Sequence, residues 1–271
     1  MVKHLLVHVD STPRSEERLG LALAVARRHG ARVTGLFAEL ETMGGSLVAR
    51  RTPDQVHEAA RAAQARFGAA VAAAGAPSAW WTLAGAEPSD LVGRFVTCAR
   101  YADLAVLGQP EEHGRMPHYL VDQVVLESGR PALVVPSSGR HPDAGHRVAV
   151  GWNASRESAR ALHDAMPFLR AAEQVGLLAF QRAAGEGEEP GGPHPDVMEL
   201  LALHGVRARY ERAMADPHGI GLAGVLMNHA FDTQADLVVL GARAEGFPVK
   251  HLGEVAREYL RSMATPVLFA A

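Results

Sequence analysis

The sequence predicts an α/β protein built as two doubly wound, five-stranded parallel-sheet domains in tandem. Three observations carry that prediction. First, Asp103-Leu-Ala-Val-Leu-Gly108 recurs as Asp236-Leu-Val-Val-Leu-Gly241, identical at every position but one. Leu126-Glu-Ser128 followed by Pro131-Ala-Leu133 is echoed by Leu260-Arg-Ser262 followed by Pro266-Val-Leu268, and His4 to Asp10 corresponds to Arg147 to Asn153. Three matches in the same order, about half a chain apart, mark a tandem duplication. Second, apolar strand-like runs alternate with helical spacing, and a crossover helix returns the chain to the same end of the sheet, which forces parallel pairing. Third, aromatic residues make up only 6% of the chain, and runs such as Leu237 to Leu240 are apolar at successive positions, as burial on both faces of a strand requires.

Each element follows from its local pattern. Leu5 to Val9 is a strand, and Thr12 with Pro13 supplies an N-cap and a first-turn proline. Leu19, Ala22, Leu23 and Ala26 then recur at helical spacing until Gly30 ends the helix as a left-handed residue. Strands are predicted at Val33 to Phe37, Trp80 to Leu83, Leu104 to Leu107 and Leu133 to Val135, with helices over Asp54 to Ala74, Ser89 to Tyr101 and Tyr119 to Glu127. The second copy has strands at Val148 to Gly151, Val175 to Ala179, Arg207 to Glu211, Leu237 to Leu240 and Val267 to Phe269. Its helices are expected at Ser155 to Ala171, Pro195 to His204, His218 to Thr233 and Val249 to Met263. Domain limits of 1–138 and 146–271 follow, joined by a polar linker near Ser137 to Gly145. Ala183 to Pro195, rich in Gly, Glu and Pro, is expected to be a solvated loop.

Composition narrows the function. The 271 residues carry a net charge of −3, so no global field attracts nucleic acid or an anionic membrane. A single cysteine, Cys98, rules out an intrachain disulfide framework and fits a reducing compartment. No apolar stretch of about 20 residues suggests a membrane span, and the expectation is a soluble cytoplasmic protein. His4 and His8 share one side of the first strand, but no metal-binding spacing surrounds them, and no metal is expected. The adjacent Trp80 and Trp81 face opposite ways and are expected to pack. No nucleophile elbow and no phosphate-binding Walker loop occurs, and Lys3 and Lys250 are the only lysines.

In an open parallel sheet, ligands collect beyond the carboxyl ends of the strands where the strand order reverses. Asp10 and Asn153 after the first strands, and Gly108 and Gly241 after the fourth, fall there. A carboxylate or amide at the first position can bond a ribose hydroxyl or a base edge; equally, Asp and Asn start turns and cap helices.

These motifs together resemble the universal stress protein family in its tandem, two-domain form, over nearly the whole chain. The resemblance implies the strand order 3-2-1-4-5 in each Rossmann-like domain and pairing of the domains through their last strands, so that Ala132 to Val135 lies beside Val267 to Phe269 as an intramolecular pseudo-dimer. A homodimer of such chains is a further arrangement it allows, and a protein partner is left unspecified. It also implies a stress-response role and ATP binding through Gly, two residues, Gly, nine residues, Gly, then Ser or Thr. Small residues let backbone N–H groups approach phosphates, and the last hydroxyl sits at a helix N-terminus that favours anions.

This chain departs from that pattern in both halves. Gly108 is followed by Gln109, Pro110, Glu111 and Glu112, and a proline without N–H beside two carboxylates opposes a triphosphate. After Gly241 the second glycine is Ala244, Gly253 comes one residue early, and Glu254 replaces the hydroxyl. Arg243, Lys250 and His251 can restore positive charge there, or stand as solvated surface residues. The expectation is a non-catalytic module with weak binding of ATP or another adenine nucleotide, better preserved in the second domain at Asn153, Gly241, Arg243 and Gly253 than in the first at Asp10 and Gly108. The alternatives are a nucleotide-phosphate hydrolase or transferase of the adenine-nucleotide α-hydrolase-like group, and a sensor of a non-nucleotide ligand.

Overall fold

The computed structural model describes residues 1–40, 52–85, 87–112, 114–180, 196–213, 220–246 and 251–271. Lys250 and the segment Ala183 to Pro195, both singled out above, lie outside the described residues. The first half runs β1 (His4–Val9), α1 (Arg14–His29), β2 (Arg32–Leu40), α2 (Pro53–Ala74), β3 (Ser78–Gly85), α3 (Pro88–Ala99), β4 (Leu104–Gly108), α4 (Leu120–Glu127) and β5 (Ala132–Val135). The second runs β6 (Arg147–Trp152), α5 (Arg156–Leu169), β7 (Gln174–Phe180), α6 (Val197–Leu203), β8 (Ala208–Ala213), α7 (Gly221–Asp232), β9 (Leu237–Gly241), β10 (Ala244–Glu245), β11 (His251–Leu252), α8 (Glu254–Ser262) and β12 (Val267–Ala270).

Ten strands form one sheet in the order β3-β2-β1-β4-β5-β12-β9-β6-β7-β8. Read inward from its two edges, each half repeats the order 3-2-1-4-5. Pairing within each half is parallel, and the halves join antiparallel through β5 and β12, with Leu133 opposite Leu268 and Val134 opposite Val267. The predicted meeting of the last strands is therefore present, and it removes two edges that would otherwise be free to pair with other chains. Alternate side chains feed two apolar cores. One lies under α1, α2, α5 and α6, the other under α3, α4, α7 and α8, and both run through the two halves.

The duplicated motif owes part of its identity to one structural task. Asp103, which opens the first copy, accepts the backbone N–H groups of Lys3 and His4; Asp236, which opens the second, accepts those of Gly145, His146 and Arg147. Each carboxylate thus fixes the start of the neighbouring first strand. The linker is pinned as well: Arg14 donates to the carbonyls of Pro136 and Gly139, and Arg28 pairs with Asp143 at 2.7 Å.

Two predicted boundaries shift for physical reasons. Thr12 does not cap α1 with its hydroxyl, which instead donates to Asp10; Pro13 sits at the helix start with φ −58°. The last helix begins at Glu254, not Val249, because His251 and Leu252 pair antiparallel with Glu245 and Ala244 as a two-stranded ribbon. Trp80 packs against Phe67 with ring centroids 5.2 Å apart, whereas Trp81 is 37% exposed, so the adjacent tryptophans do face opposite ways.

Candidate functional site

At the end of β1, Asp10 is buried and fully engaged. One carboxylate oxygen accepts both the backbone N–H and the hydroxyl of Thr12, at 2.9 and 2.5 Å. The other accepts Arg18 Nη2 at 2.9 Å, and the backbone N–H of Asp10 donates to Ser15 Oγ. Burial works against the ionised carboxylate, but Arg18, His8 and the two Thr12 bonds outweigh it and hold its pKa at about 2. Arg18 comes from α1, only 4% of it exposed, and its Nε donates to the His8 carbonyl at 2.6 Å. His8 Nε2 bonds the Ala38 carbonyl at 3.0 Å; burial, then the nearby Arg18 charge, push its pKa down to about 4. At neutral pH the imidazole is therefore uncharged and Nε2 carries the proton.

Gly108, at the end of β4, lies against the same guanidinium. A Cβ built there would come within 2.5 Å of Arg18 Nη1. The loop that follows is tied back by Gln109 N–H to the Val135 carbonyl and by Leu40 N–H to the Arg115 carbonyl. What remains beneath it is a cavity of about 50 Å³ lined by His8, Asp10, Thr12, Arg18, Gly108 and Arg115, among others. That is a small fraction of the 300–1,000 Å³ typical of pockets for drug-sized ligands.

The second half replaces every part of this arrangement. Asn153 is exposed, and its side-chain oxygen accepts the Ser155 N–H at 3.1 Å across Ala154, which adopts φ 55°. Eight residues after Asp10 stands Arg18; eight after Asn153 stands the buried Ala161. With no guanidinium to accommodate, the first turn of α5 closes onto β9. A Cβ on Gly241 would meet the backbone of Glu157 and Ser158 at 2.5 Å. The two matching glycines are thus required for different reasons, one by a side chain and the other by a helix backbone.

Gly253 is the N-cap of α8 and offers no side-chain cap. Its place is taken by Glu245, whose carboxylate accepts the backbone N–H of Glu254, lies 3.0 Å from Arg243 Nη2, and lies 3.8 Å from Arg257 Nη2. The Arg243 bond leads the causes that lower the Glu245 pKa, so this group is a carboxylate at neutral pH. A tethered anion therefore occupies the helix end where the glycine pattern would place a phosphate. Arg243 is engaged with it, and His251 lies in β11 next to Leu252, whose N–H donates to Asp122 of α4 at 3.2 Å. That bond docks the ribbon of one half onto a helix of the other. Burial raises the Asp122 pKa despite this bond and nearby positive charge.

Sequence reasoning missed Arg18, Glu245 and a groove. Arg18 had a signal, since Arg18, Ala22 and Val25 fall on one stripe of α1 at helical spacing and a charge among buried apolar neighbours calls for a partner. Glu245 had none, because the ribbon that turns it onto α8 is absent from the repeat. The groove, about 1,020 Å³, lies between α3, α4 and α8, with Val92, Val96, Tyr119 and Leu260 among its lining residues and Asp122 and Arg257 at its polar positions. Three helices from two halves build it, which no motif within either half could reveal. Among the described residues, no cluster of three metal-ligating side chains occurs. Nor is any described helix long and apolar enough to cross a membrane.

No family model matches the sequence, and no curated protein matches it. Solved structures do. A universal stress protein from Archaeoglobus fulgidus superposes with a TM-score of 0.70 over 98% of this chain and 97% of its own, at 14% identity. The chain has the tandem universal stress protein fold. A putative universal stress protein from Pseudomonas aeruginosa gives a TM-score of 0.61 at 12% identity, covering 99% of this chain and 93% of its own. The cytoplasmic domain of a prokaryotic cation chloride cotransporter gives 0.51 at 13% identity, covering 99% and 95%. The tandem universal stress protein fold thus also serves in a transporter, and the function of this chain has to be argued from its own residues.

Proposed function

We propose that the chain is a tandem universal stress protein, a non-catalytic cytoplasmic module of the stress response. Its two domains, 1–138 and 146–271, pair within one chain as a pseudo-dimer. It binds ATP or another adenine nucleotide weakly, in the second domain only, around Asn153, Gly241, Arg243 and Gly253. One observation carries the weakness and the location: the α8 N-terminus presents backbone donors and two arginines to an anion, and Glu245 already fills that place. In the first domain Arg18 reaches Gly108 and Asp10 is committed to Arg18 and Thr12, which supports neither a phosphate cradle nor a free catalytic base there.

Calorimetric titration with ATP and AMP tests the reading. The expected result is one weak site per chain, tightened at least several-fold by Glu245→Gln, which removes the tethered charge and keeps the side-chain shape. Submicromolar binding in both domains refutes it. Multiple turnover of ATP by the pure protein would instead favour the hydrolase or transferase alternative. A second reading, a sensor of a non-nucleotide small molecule, has the groove between α3, α4 and α8 in its favour, since pockets of that size at domain junctions commonly take such ligands. Mass spectrometry of small molecules retained through gentle purification separates the two readings.

A further inference from the structure

The cavity at the end of β1 and β4 is too small for a nucleotide, yet it is built from charged groups. Arg18 is only 4% exposed and lines it. Its Nε and Nη2 are bonded to the His8 carbonyl and to Asp10, and Nη1 is pressed against Gly108. Arg115 lines the same cavity, and its buried Nε has no hydrogen-bond partner among the described residues. An unsatisfied buried N–H on a cation costs more than one on a neutral group, so Arg115 Nε calls for an acceptor at this cavity, which the buried guanidinium of Arg18 also lines. Leu120 and Val121 also line it, which turns the first residues of α4, the positive end of that helix, toward the same space.

From this geometry we infer that the cavity is a site for a small inorganic anion, halide to planar oxyanion in size, held between the guanidinium groups of Arg18 and Arg115. The charges around it are consistent with one added negative charge. Asp10 is matched by Arg18, and His8 donates its Nε2 proton to Ala38. Glu111 lines the cavity but is exposed, so solvent and salt screen it. Among the described residues Arg115 has no acidic partner, and it is the cation left over. Size sets the class: a water needs only about 10–15 Å³ of such space, so about 50 Å³ admits an ion of a few atoms and excludes a nucleotide. The inference stands apart from the nucleotide reading of the second domain.

Thermal unfolding of the full chain in bromide or nitrate, at fixed ionic strength made up with gluconate, tests it together with anomalous diffraction from bromide-grown crystals. The expected result is a saturable rise in Tm, about 2–4 °C once the anion exceeds its Kd about fivefold. That rise is lost in Arg115→Gln, and a bromide peak lies beside Arg18 Nη1. Equal Tm values in gluconate and bromide, with ordered water alone in the cavity, overturn the proposal. So does a peak confined to the outer surface, which would mark an adventitious ion only. A rise with ATP that Arg115→Gln abolishes also overturns it, by making the cavity part of a nucleotide site. Should Arg115→Gln fail to fold, the anomalous map of the unaltered protein decides.

Discussion

Acid should weaken this fold through His8, and the size of the effect follows from its surroundings. Burial and the Arg18 charge oppose the imidazolium, while Asp10 at 3.8 Å and the Ala38 carbonyl favour it; the first pair dominates and the pKa falls from 6.5 to about 4. The unfolded chain takes up a proton near pH 6.5 and the folded one does not until about pH 4. Over that window the unfolded state binds more protons, so stability falls as pH falls. The loss is complete below the folded pKa and absent above the unfolded one. At about 1.4 kcal/mol per pKa unit it amounts to about 3 kcal/mol, a large share of the 5–15 kcal/mol that holds a typical domain. Urea unfolding followed by tryptophan fluorescence at pH 7, 6, 5 and 4.5 measures it. His8→Gln keeps a donor for the Ala38 carbonyl but cannot titrate, so between pH 7 and 4.5 its stability should vary by about 2 kcal/mol less than that of the unaltered protein. His29, lowered by burial, acts in the same direction, and His146, raised chiefly by its bond to Asp143, in the opposite one. Both are present in both proteins and cancel in the difference. Asp10 titrates between its ordinary 3.8 and about 2, below the window. Identical pH slopes in the two proteins would refute the reasoning, since they would mean that Asp10 wins and His8 holds its proton when folded.

Gly241→Ala should destabilise by about 1–3 kcal/mol, because its Cβ would meet helix backbone at 2.5 Å, while Gly68→Ala, in α2 with nothing within 4 Å, should stabilise by about 0.5–1 kcal/mol; chemical denaturation of both variants checks the pair. Leu268→Ala, at a fully buried position opposite Leu133, should cost about 2–5 kcal/mol and lower the unfolding midpoint of both halves together, because the residue belongs to a core that runs through both; two separated transitions in a calorimetric scan would contradict this.

Much of the architecture was legible because it rests on short-range patterns. Apolar runs buried on both faces, Gly30 in the left-handed conformation at φ 61°, and an aspartate that starts each copy of the repeat all act within a few residues or at a fixed topological place. The meeting of Ala132 to Val135 with Val267 to Phe269 came from the family resemblance, and it fits the physics, since an unpaired last strand in each half would be an exposed edge. The site was far less readable. Asp10, Gly108, Asn153 and Gly241 could be placed at the strand ends, but what each touches depends on residues elsewhere. Arg18 arrives from α1, and Glu245 is carried to α8 by a ribbon two residues wide. Helical periodicity around Val255 and Tyr259 could not show where α8 starts, because the residues before it are consumed in that pairing.

The contrast between the halves bears on how a glycine pattern should be interpreted. Gly108 and Gly241 occupy the same step of the same topology, yet one is held small by a guanidinium and the other by a helix turn. A small residue at the position is therefore required even when no phosphate ever comes near, and its presence alone does not argue for a ligand. At Gly253 the added observation is the nature of the occupant. A carboxylate that takes the helix N–H and two arginines competes with any incoming phosphate for the same donors, and a group tethered a few residues away competes at an effective concentration in the millimolar range or above. A ligand then sees its affinity reduced by the fraction of molecules in which Glu245 has left. Neutralising that side chain should raise the fraction without adding a contact, whereas a helix end that phosphate never visits would respond to the same substitution only in stability.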